Sequence, residues 1–484
     1  MRKKNIAKNY IYNLIYQILA IIIPLITTPY LSRILGAENI GIYSFTLSIT
    51  TYYILFGSLG VAMYGQREIA YVQDNIDKRS KTFYEIFIMK AITLLLSLFV
   101  FYFTFCLNGE YSIYYKILML EIIANIVDIS WYFQGIEEFK KTVLRNIIVK
   151  LISVACIFLF VKNQSDLNIY FVIYVLSTFL GNITLWFYLP QHLKKIKFRE
   201  LKIKKHIKPA LMLFIPQIAT QIYTVLDKTM IGAIISDKSE VGYYEQTQKI
   251  IKLLLTLATS LGVVMMPRIA STYAKKDMKK VKEYMNKSFG FITMLTFPLM
   301  FGIISVAYKF VPMFYGEGYG KVVPLLCIIS PIIVLIGLSN VIGTQYLLPT
   351  KQQNKYTISV IVGACVNFLF NIILIKNLAS IGASIATVIA ELSVTLTQFF
   401  LIKKEIKILD VIKITYKYVI ASIIMFICSL IIGHLISNNI LSIFAQVGIS
   451  GITYFVMLII LKDKMIFEGI EIIKNKLLKR KINV

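Results

Sequence analysis

The side chains best placed to do chemistry in this sequence are ionised residues inside apolar runs, where a charge is costly and usually faces a cavity or an opposite charge. Asp227 and Lys228 stand together in one such run. In the next run Glu245, Lys249 and Lys252 fall at i, i+4 and i+7, so all three share one helical face. Two chemistries fit this pattern. Glu245 can pair with Lys249, and Asp227 with a neighbouring lysine, as internal salt bridges. Alternatively, Lys228, Lys249 and Lys252 line a cationic, water-filled cavity that favours an anionic ligand. Single carboxylates also occur in other runs, at Glu121, Asp128 and Glu391. Each is a candidate for coupling to a proton or Na⁺, or for a neutral acid hydrogen-bonded to another helix. Arg33 ends the first run and either snorkels to the interface or contributes to a gate or a phosphate contact.

Enzyme chemistry has little to build on. There is no G-x-x-x-x-G-K-[ST] phosphate loop, so ATP hydrolysis within this chain is not expected, and there is no D-x-D motif. The five cysteines (Cys106, Cys156, Cys327, Cys365, Cys428) lie in or at the ends of apolar runs, without paired or metal-like spacing. They read as packing or lipid-facing residues, and no cofactor or metal is expected.

The elements that must position these groups are membrane helices. Of 484 residues 57% are hydrophobic and 16% charged, with mean hydropathy +0.71. A soluble chain carries about 25% charge. Apolar runs of roughly 20 residues, the length that crosses a bilayer core as helix, recur along the chain. Because the runs are continuous rather than alternating, helices are expected rather than a barrel. The sequence predicts an all-α polytopic membrane protein with fourteen spans near 10–33, 40–63, 83–105, 112–134, 143–162, 168–190, 210–235, 241–266, 287–311, 322–347, 354–375, 380–402, 413–436 and 440–461. With the N-terminus inside, 40 of the 52 Lys and Arg fall in inside segments and 6 in outside ones. The positive-inside rule then places both termini in the cytoplasm. The net charge of +27 therefore speaks for topology, not for nucleic acid. Arg2, Lys3 and Lys4 precede an apolar stretch too long for a signal core, so the first span is expected to remain.

The sequence also contains a duplication. Ile23-Pro24, Gly41-Ile42-Tyr43, Ser58-Leu59-Gly60-Val61, Arg67 and Ile69-Ala70 recur in the same order as Ile215-Pro216, Gly242-Tyr243-Tyr244, Ser260-Leu261-Gly262-Val263, Arg268 and Ile269-Ala270. The copies start six spans apart, so both run the same way through the membrane, about a pseudo-two-fold axis along its normal. The expected organisation is a six-helix lobe at 1–209, a second at 210–402, two further helices at 403–462 and a basic tail at 463–484. Ile466, Ile470, Ile473 and Leu477, among Lys474, Lys476, Lys479 and Arg480, predict an interfacial amphipathic helix in that tail. At the aligned positions of the second span, Glu245, Lys249 and Lys252 become Ser44, Ser48 and Thr51. A face that is charged in one lobe and hydroxylated in the other suits a central cavity contacting phosphate and sugar hydroxyls. Pro24, Pro29 and Pro216 are candidate helix bends, and Lys90 and Lys150 are expected to reach toward lipid headgroups.

The stretch from Ile23 to Glu38 (IPLITTPYLSRILGAE), followed by Ile40-Gly41-Ile42-Tyr43-Ser44, resembles the Wzx-type polysaccharide flippases of the multidrug/oligosaccharidyl-lipid/polysaccharide exporter superfamily. So does Leu226-Asp227-Lys228-Thr229-Met230-Ile231-Gly232 with Glu240-Val241-Gly242-Tyr243-Tyr244. The resemblance spans essentially the full length. It implies a MATE-like fold and an undecaprenyl-diphosphate-linked oligosaccharide as cargo, turned from the inner to the outer leaflet of the bacterial cytoplasmic membrane by alternating access. It also implies that Arg33, Asp227, Lys228 and Lys249 lie on motif positions, with a polysaccharide polymerase and glycosyltransferases as pathway partners. Two rivals remain. An ion-coupled multidrug exporter of the same superfamily would have to bind cationic drugs beside three lysines. A membrane glycosyltransferase or polymerase would need acidic motifs in sizeable outside loops, and the outside loops here are short.

Overall fold

The computed structural model describes the backbone of residues 6–468 and 471, except 195 and 407. Side chains are described over the same range apart from 6–18, 20, 139–141, 198, 215–217, 219–220, 222–224, 260–261 and 263–264. Arg2, Lys3, Lys4, the side chain of Pro216 and most of the tail helix expected after Ile466 lie outside the described residues. The elements are α1 (Ile6–Ser58), α2 (Val61–Tyr71), α3 (Ile76–Phe101), α4 (Ser112–Ile126), α5 (Ser130–Gly135), α6 (Phe139–Phe160), α7 (Leu167–Thr184), α8 (Ile207–Ile234), α9 (Ser239–Ala274), α10 (Met278–Tyr315), α11 (Val322–Ile329), α12 (Ile332–Ile342), α13 (Gln353–Leu401), α14 (Ile408–Leu435) and α15 (Asn439–Ile460). No strand occurs among the described residues.

The expected segments fall mainly on helices, with breaks inside the fourth and the tenth. Nine described stretches are long and apolar enough to cross a bilayer, by length and composition only. Two of these each hold a pair of expected spans joined at a single residue. One break is Gly36 (φ 75°, ψ 171°) in α1, and the other is Ala379 (φ 49°, ψ −126°) in α13. The turn in α1 therefore comes from a glycine that accepts positive φ; Pro24 and Pro29 lie within its helical part. At the second break, a Cβ on Gly382 would stand 2.4 Å from the Leu374 carbonyl oxygen, so the two halves of α13 close only on a glycine.

The fourth expected span is broken between α4 and α5, and side chains satisfy the carbonyls this frees. Asn182 Nδ2 donates to Ala124 at 2.8 Å, Trp186 Nε1 to Val127 at 2.7 Å, and Lys90 Nζ to Asp128 at 2.9 Å. In lipid each would otherwise cost several kcal/mol. This corrects the expectation for Lys90. The residue is only 4% exposed and anchors a broken helix instead of reaching a headgroup. The signal was obscured because its partner is a backbone atom 38 residues away.

The chain forms two compact units, Met1–Gly242 and Tyr243–Val484. The first includes α8, beyond position 210 where the sequence repeat restarts. Its core is aromatic: Phe83 stacks on Trp131 at 5.5 Å, with Tyr132 and Trp186 edge-on. In the second unit Phe289 stacks on Phe399. There, α14 and α15 are tied to α10 by buried and half-buried polar contacts. Tyr454 donates to the Met294 carbonyl at 2.7 Å, Ser429 to Ser305 at 2.8 Å, and Lys309 to Ser442 at 3.0 Å and to the Ile436 carbonyl.

Candidate transport site

In the first unit the hydroxyl face of the second half of α1 meets α8. Thr229 Oγ1 donates to Ser48 Oγ at 2.9 Å, and Ser48 in turn donates to the Phe45 carbonyl at 2.6 Å. The Tyr52 hydroxyl lies 3.5 Å from Thr229. Ser44 and Ser48 are buried, and Thr51 is half-buried with its hydroxyl on the Leu47 carbonyl at 2.8 Å. Two of the three hydroxyl residues expected to line an open cavity are thus packed. Asp227 is buried beside this contact, Lys228 is half-buried, and Arg33 is exposed. Thr229 and Tyr52 were not singled out in the sequence, although Thr229 lies in the motif with Asp227 and Lys228.

The crossing tightens at the repeat glycines. A Cβ on Gly41 would stand 1.7 Å from the Lys238 carbonyl oxygen, and one on Gly242 would stand 2.0 Å from that of Ala37. Each glycine meets the carbonyl four residues before its counterpart, so the contact follows the duplication. Beside it, Lys238 Nζ caps the end of α8 by donating to the Gly232 and Ile235 carbonyls at 2.7 and 2.9 Å. It also lies over the rings of Phe45 and Tyr111. Burial pushes this ammonium below its ordinary value, opposed by Glu110 and Asp237.

In the second unit Glu245 and Lys249 are 3.9 Å apart, and Lys252 is exposed. The ion pair expected as one alternative therefore forms, at the long limit of such contacts. Around α9, Gln248 donates to Tyr244, whose hydroxyl is 3.0 Å from Thr387. Asn371 donates to Asn367 at 3.1 Å and Gln345 to Asn340 at 3.1 Å. Glu391 is buried on the second half of α13, and its carbonyl accepts from Thr395 at 2.9 Å.

The other two carboxylates differ. Asp128 Oδ1 accepts the Ser130 N–H at 2.9 Å, a local turn contact at the start of α5. Glu121 is 6% exposed, and its Oε2 has no hydrogen-bond partner among the described residues. Tyr43, close to Glu121, packs its ring against Tyr170, Phe171 and Tyr174 at 4.8–5.5 Å.

A second polar cluster holds the segment before α8. Glu85, fully buried on α3, accepts the Lys202 N–H at 2.7 Å, Lys205 Nζ at 2.6 Å and His206 Nε2 at 2.9 Å. His206 Nδ1 is 2.6 Å from the Tyr64 hydroxyl. A carboxylate only accepts, which puts a proton on Nε2. Burial lowers the imidazole from its ordinary value, and the Glu85 hydrogen bond opposes this. His206 is one of three histidines, a rarity that could have flagged it.

Long apolar helices, internal polar faces and a glycine-tight crossing on duplicated motifs define a polytopic helical membrane protein of the exporter kind. A profile for the family described as polysaccharide biosynthesis protein matches residues 6–273, more than half of the chain, and the chain belongs to that family. A second profile, MatE, matches residues 213–375. A protein of Escherichia coli (strain K12) named as a candidate O-antigen transporter is 27% identical over 398 residues, 81% of this chain and 95% of that one. Capsular polysaccharide biosynthesis protein CapF of Staphylococcus aureus is 22% identical over 415 residues, 82% and 99%. Among solved structures, lipid II flippase MurJ in an inward closed conformation superposes with a TM-score of 0.77 at 18% identity, covering 94% of this chain and all of that one. The fold is that of the multidrug/oligosaccharidyl-lipid/polysaccharide exporters. Of these, the Escherichia coli protein is named as a transporter and MurJ as a flippase.

Proposed function

We propose that the chain is a flippase that turns an undecaprenyl-diphosphate-linked oligosaccharide from the inner to the outer leaflet of the bacterial cytoplasmic membrane by alternating access. The observation that carries this reading is that one copy of the repeat has Ser44, Ser48 and Thr51 where the other has Glu245, Lys249 and Lys252, in a chain of the polysaccharide biosynthesis family. A diphosphate-sugar head does not cross hydrocarbon unaided, whereas its polyprenyl tail can stay in lipid. Lys228, Lys249 and Lys252, with Arg33, would take the phosphates. Ser44, Ser48 and Thr51 would meet sugar hydroxyls once their packing opens, and Asp227 and Glu245 would hold the lysines in place.

The charge asymmetry supports both termini in the cytoplasm, with lobes at 1–209 and 210–402, two added helices at 403–462 and a basic tail at 463–484. Of the coupling candidates, Glu121 is favoured because its Oε2 has no partner among the described residues, Asp128 is engaged by the Ser130 N–H, and Glu391 is a second choice. A polysaccharide polymerase and glycosyltransferases are the expected pathway partners. The MatE match favours a second reading, an ion-coupled exporter of small molecules; three lysines argue against cationic drugs there.

The test is a deletion strain. Lipid-linked oligosaccharide should accumulate on the cytoplasmic face, and normal export of every surface glycan would sink the flippase reading.

A further inference from the structure

The first unit holds a second polar space, separate from the α1–α8 hydroxyl contact. It lies between α1, α6 and α7, with Ile23, Pro24 and Thr27 of the first half of α1 and Tyr43 of the second on its wall, and has a volume of about 450 Å³, within the range of roughly 300–1,000 Å³ found for small-molecule sites. Its lining is graded along α6. Arg145, Asn146 and Lys150 stand toward the start of that helix, and Ile157 toward its end, about 18 Å further on at 1.5 Å per residue. Because α7 runs the other way, Asn182 sits at the cationic end and Tyr170 and Tyr174 at the other. Hydroxyls of Ser153, Ser177 and Thr178 lie between them.

The arginine is held in place. Its Nη1 donates to Asn182 Oδ1 at 3.0 Å and its Nε to Asn146 Oδ1 at 3.0 Å. None of the described lining residues is a carboxylate. Two cations at membrane depth, with amides and hydroxyls but no acid on the wall, make a place for an anion. Tyrosines present flat apolar faces with a polar tip, which suits a sugar ring.

We propose that this pocket binds a phosphorylated sugar, with the phosphate against Arg145 and Lys150 and the ring among the hydroxyls and tyrosines. The site is argued from its own lining; the choice of a sugar phosphate over another phosphorylated polyol rests on the proposed function. With the N-terminus in the cytoplasm, the cationic end lies on the side from which an inner-leaflet headgroup would arrive.

The test is thermal unfolding of the purified full chain in detergent. N-acetylglucosamine 1-phosphate should raise the unfolding temperature saturably, inorganic phosphate less so, and neutral N-acetylglucosamine not at all. Lys150→Gln should weaken the effect at least tenfold in ligand concentration, and Ser153→Phe, which fills the pocket, should remove it. Lys287→Gln, on an exposed lysine paired with Glu283, should leave it unchanged. Lys150→Gln keeps the site testable if Ser153→Phe fails to fold. A response to phosphatidylglycerol but not to the sugar phosphate would overturn the proposal, as would no response, or one that survives Lys150→Gln. Failure here leaves the deletion-strain result untouched. Conversely, sugar phosphate binding in a chain whose loss does not impair export would count against the flippase reading alone.

Discussion

Gly41→Ala is the sharpest perturbation of the crossing between α1 and the segment after α8. The new methyl carbon would start 1.7 Å from the Lys238 carbonyl oxygen, whereas real Cβ contacts stay beyond 3.0 Å, so the backbone must retreat by at least 1.3 Å. The obstacle is a main-chain atom, and no rotamer change relieves it. Overpacking of this kind costs about 1–3 kcal/mol. If the crossing opens and closes as a two-state element, the same energy shifts its ratio about 5–150-fold toward the open form. Gly242→Ala pushes the same two segments apart from the other side, with a gap of 2.0 Å to the Ala37 carbonyl. The double variant should therefore cost less than the sum of the two singles. The assay is the reaction rate of Ser48→Cys with a membrane-impermeant thiol reagent, in a chain otherwise free of cysteine, alongside unfolding temperature. Ser48 is buried in this state, so labelling should be slow and should accelerate in Gly41→Ala. Gly448→Ala, with nothing near its Cβ, is the control and should be neutral or slightly stabilising. Unchanged labelling and unfolding temperature in Gly41→Ala would refute the crossing as a close-packed, openable contact.

Lys90→Met should destabilise the chain by about 1–3 kcal/mol, because the Asp128 carbonyl loses its donor inside the broken span; a wild-type unfolding temperature would show that other contacts hold the break. Lys249→Ala should abolish complementation of the deletion strain at normal protein level, whereas Lys287→Ala should not. The Glu245–Lys249 pair is partly exposed at 3.9 Å and is worth only about 0.3–0.5 kcal/mol as an i,i+4 pair. A loss of function that Glu245→Gln/Lys249→Met restores would therefore point to the pair and away from ligand binding. For His206, burial lowers the imidazole below its ordinary 6.5, so unfolding takes up a proton between the two values. Stability is then full above about 6.5 and falls as pH drops toward the folded value. Unfolding temperature measured from pH 8 to 5 should show this fall, flattened in His206→Gln; equal slopes would remove His206 as its source. The groups facing it are Glu85, Lys205, Tyr64 and Glu68.

Helical class, approximate spans and duplication were legible in the sequence because each depends on local properties. Apolar run length measures the bilayer, and paired motifs survive as short identical strings. The i, i+4, i+7 spacing of Glu245, Lys249 and Lys252 puts them on one face of any helix, and the pair at 3.9 Å follows from it. What surrounds each residue was decided only by tertiary structure, since its partners are remote in sequence. Nothing near Lys90 announces a carbonyl 38 residues on, nor near Ser48 a hydroxyl 181 residues away. Nothing near Glu85 announces a histidine 121 residues away. Gly41 and Gly242 show the division most clearly. The repeat marked both as matching positions, but only the packed helices show that each glycine leaves room for a carbonyl from the other copy, which any larger side chain would displace.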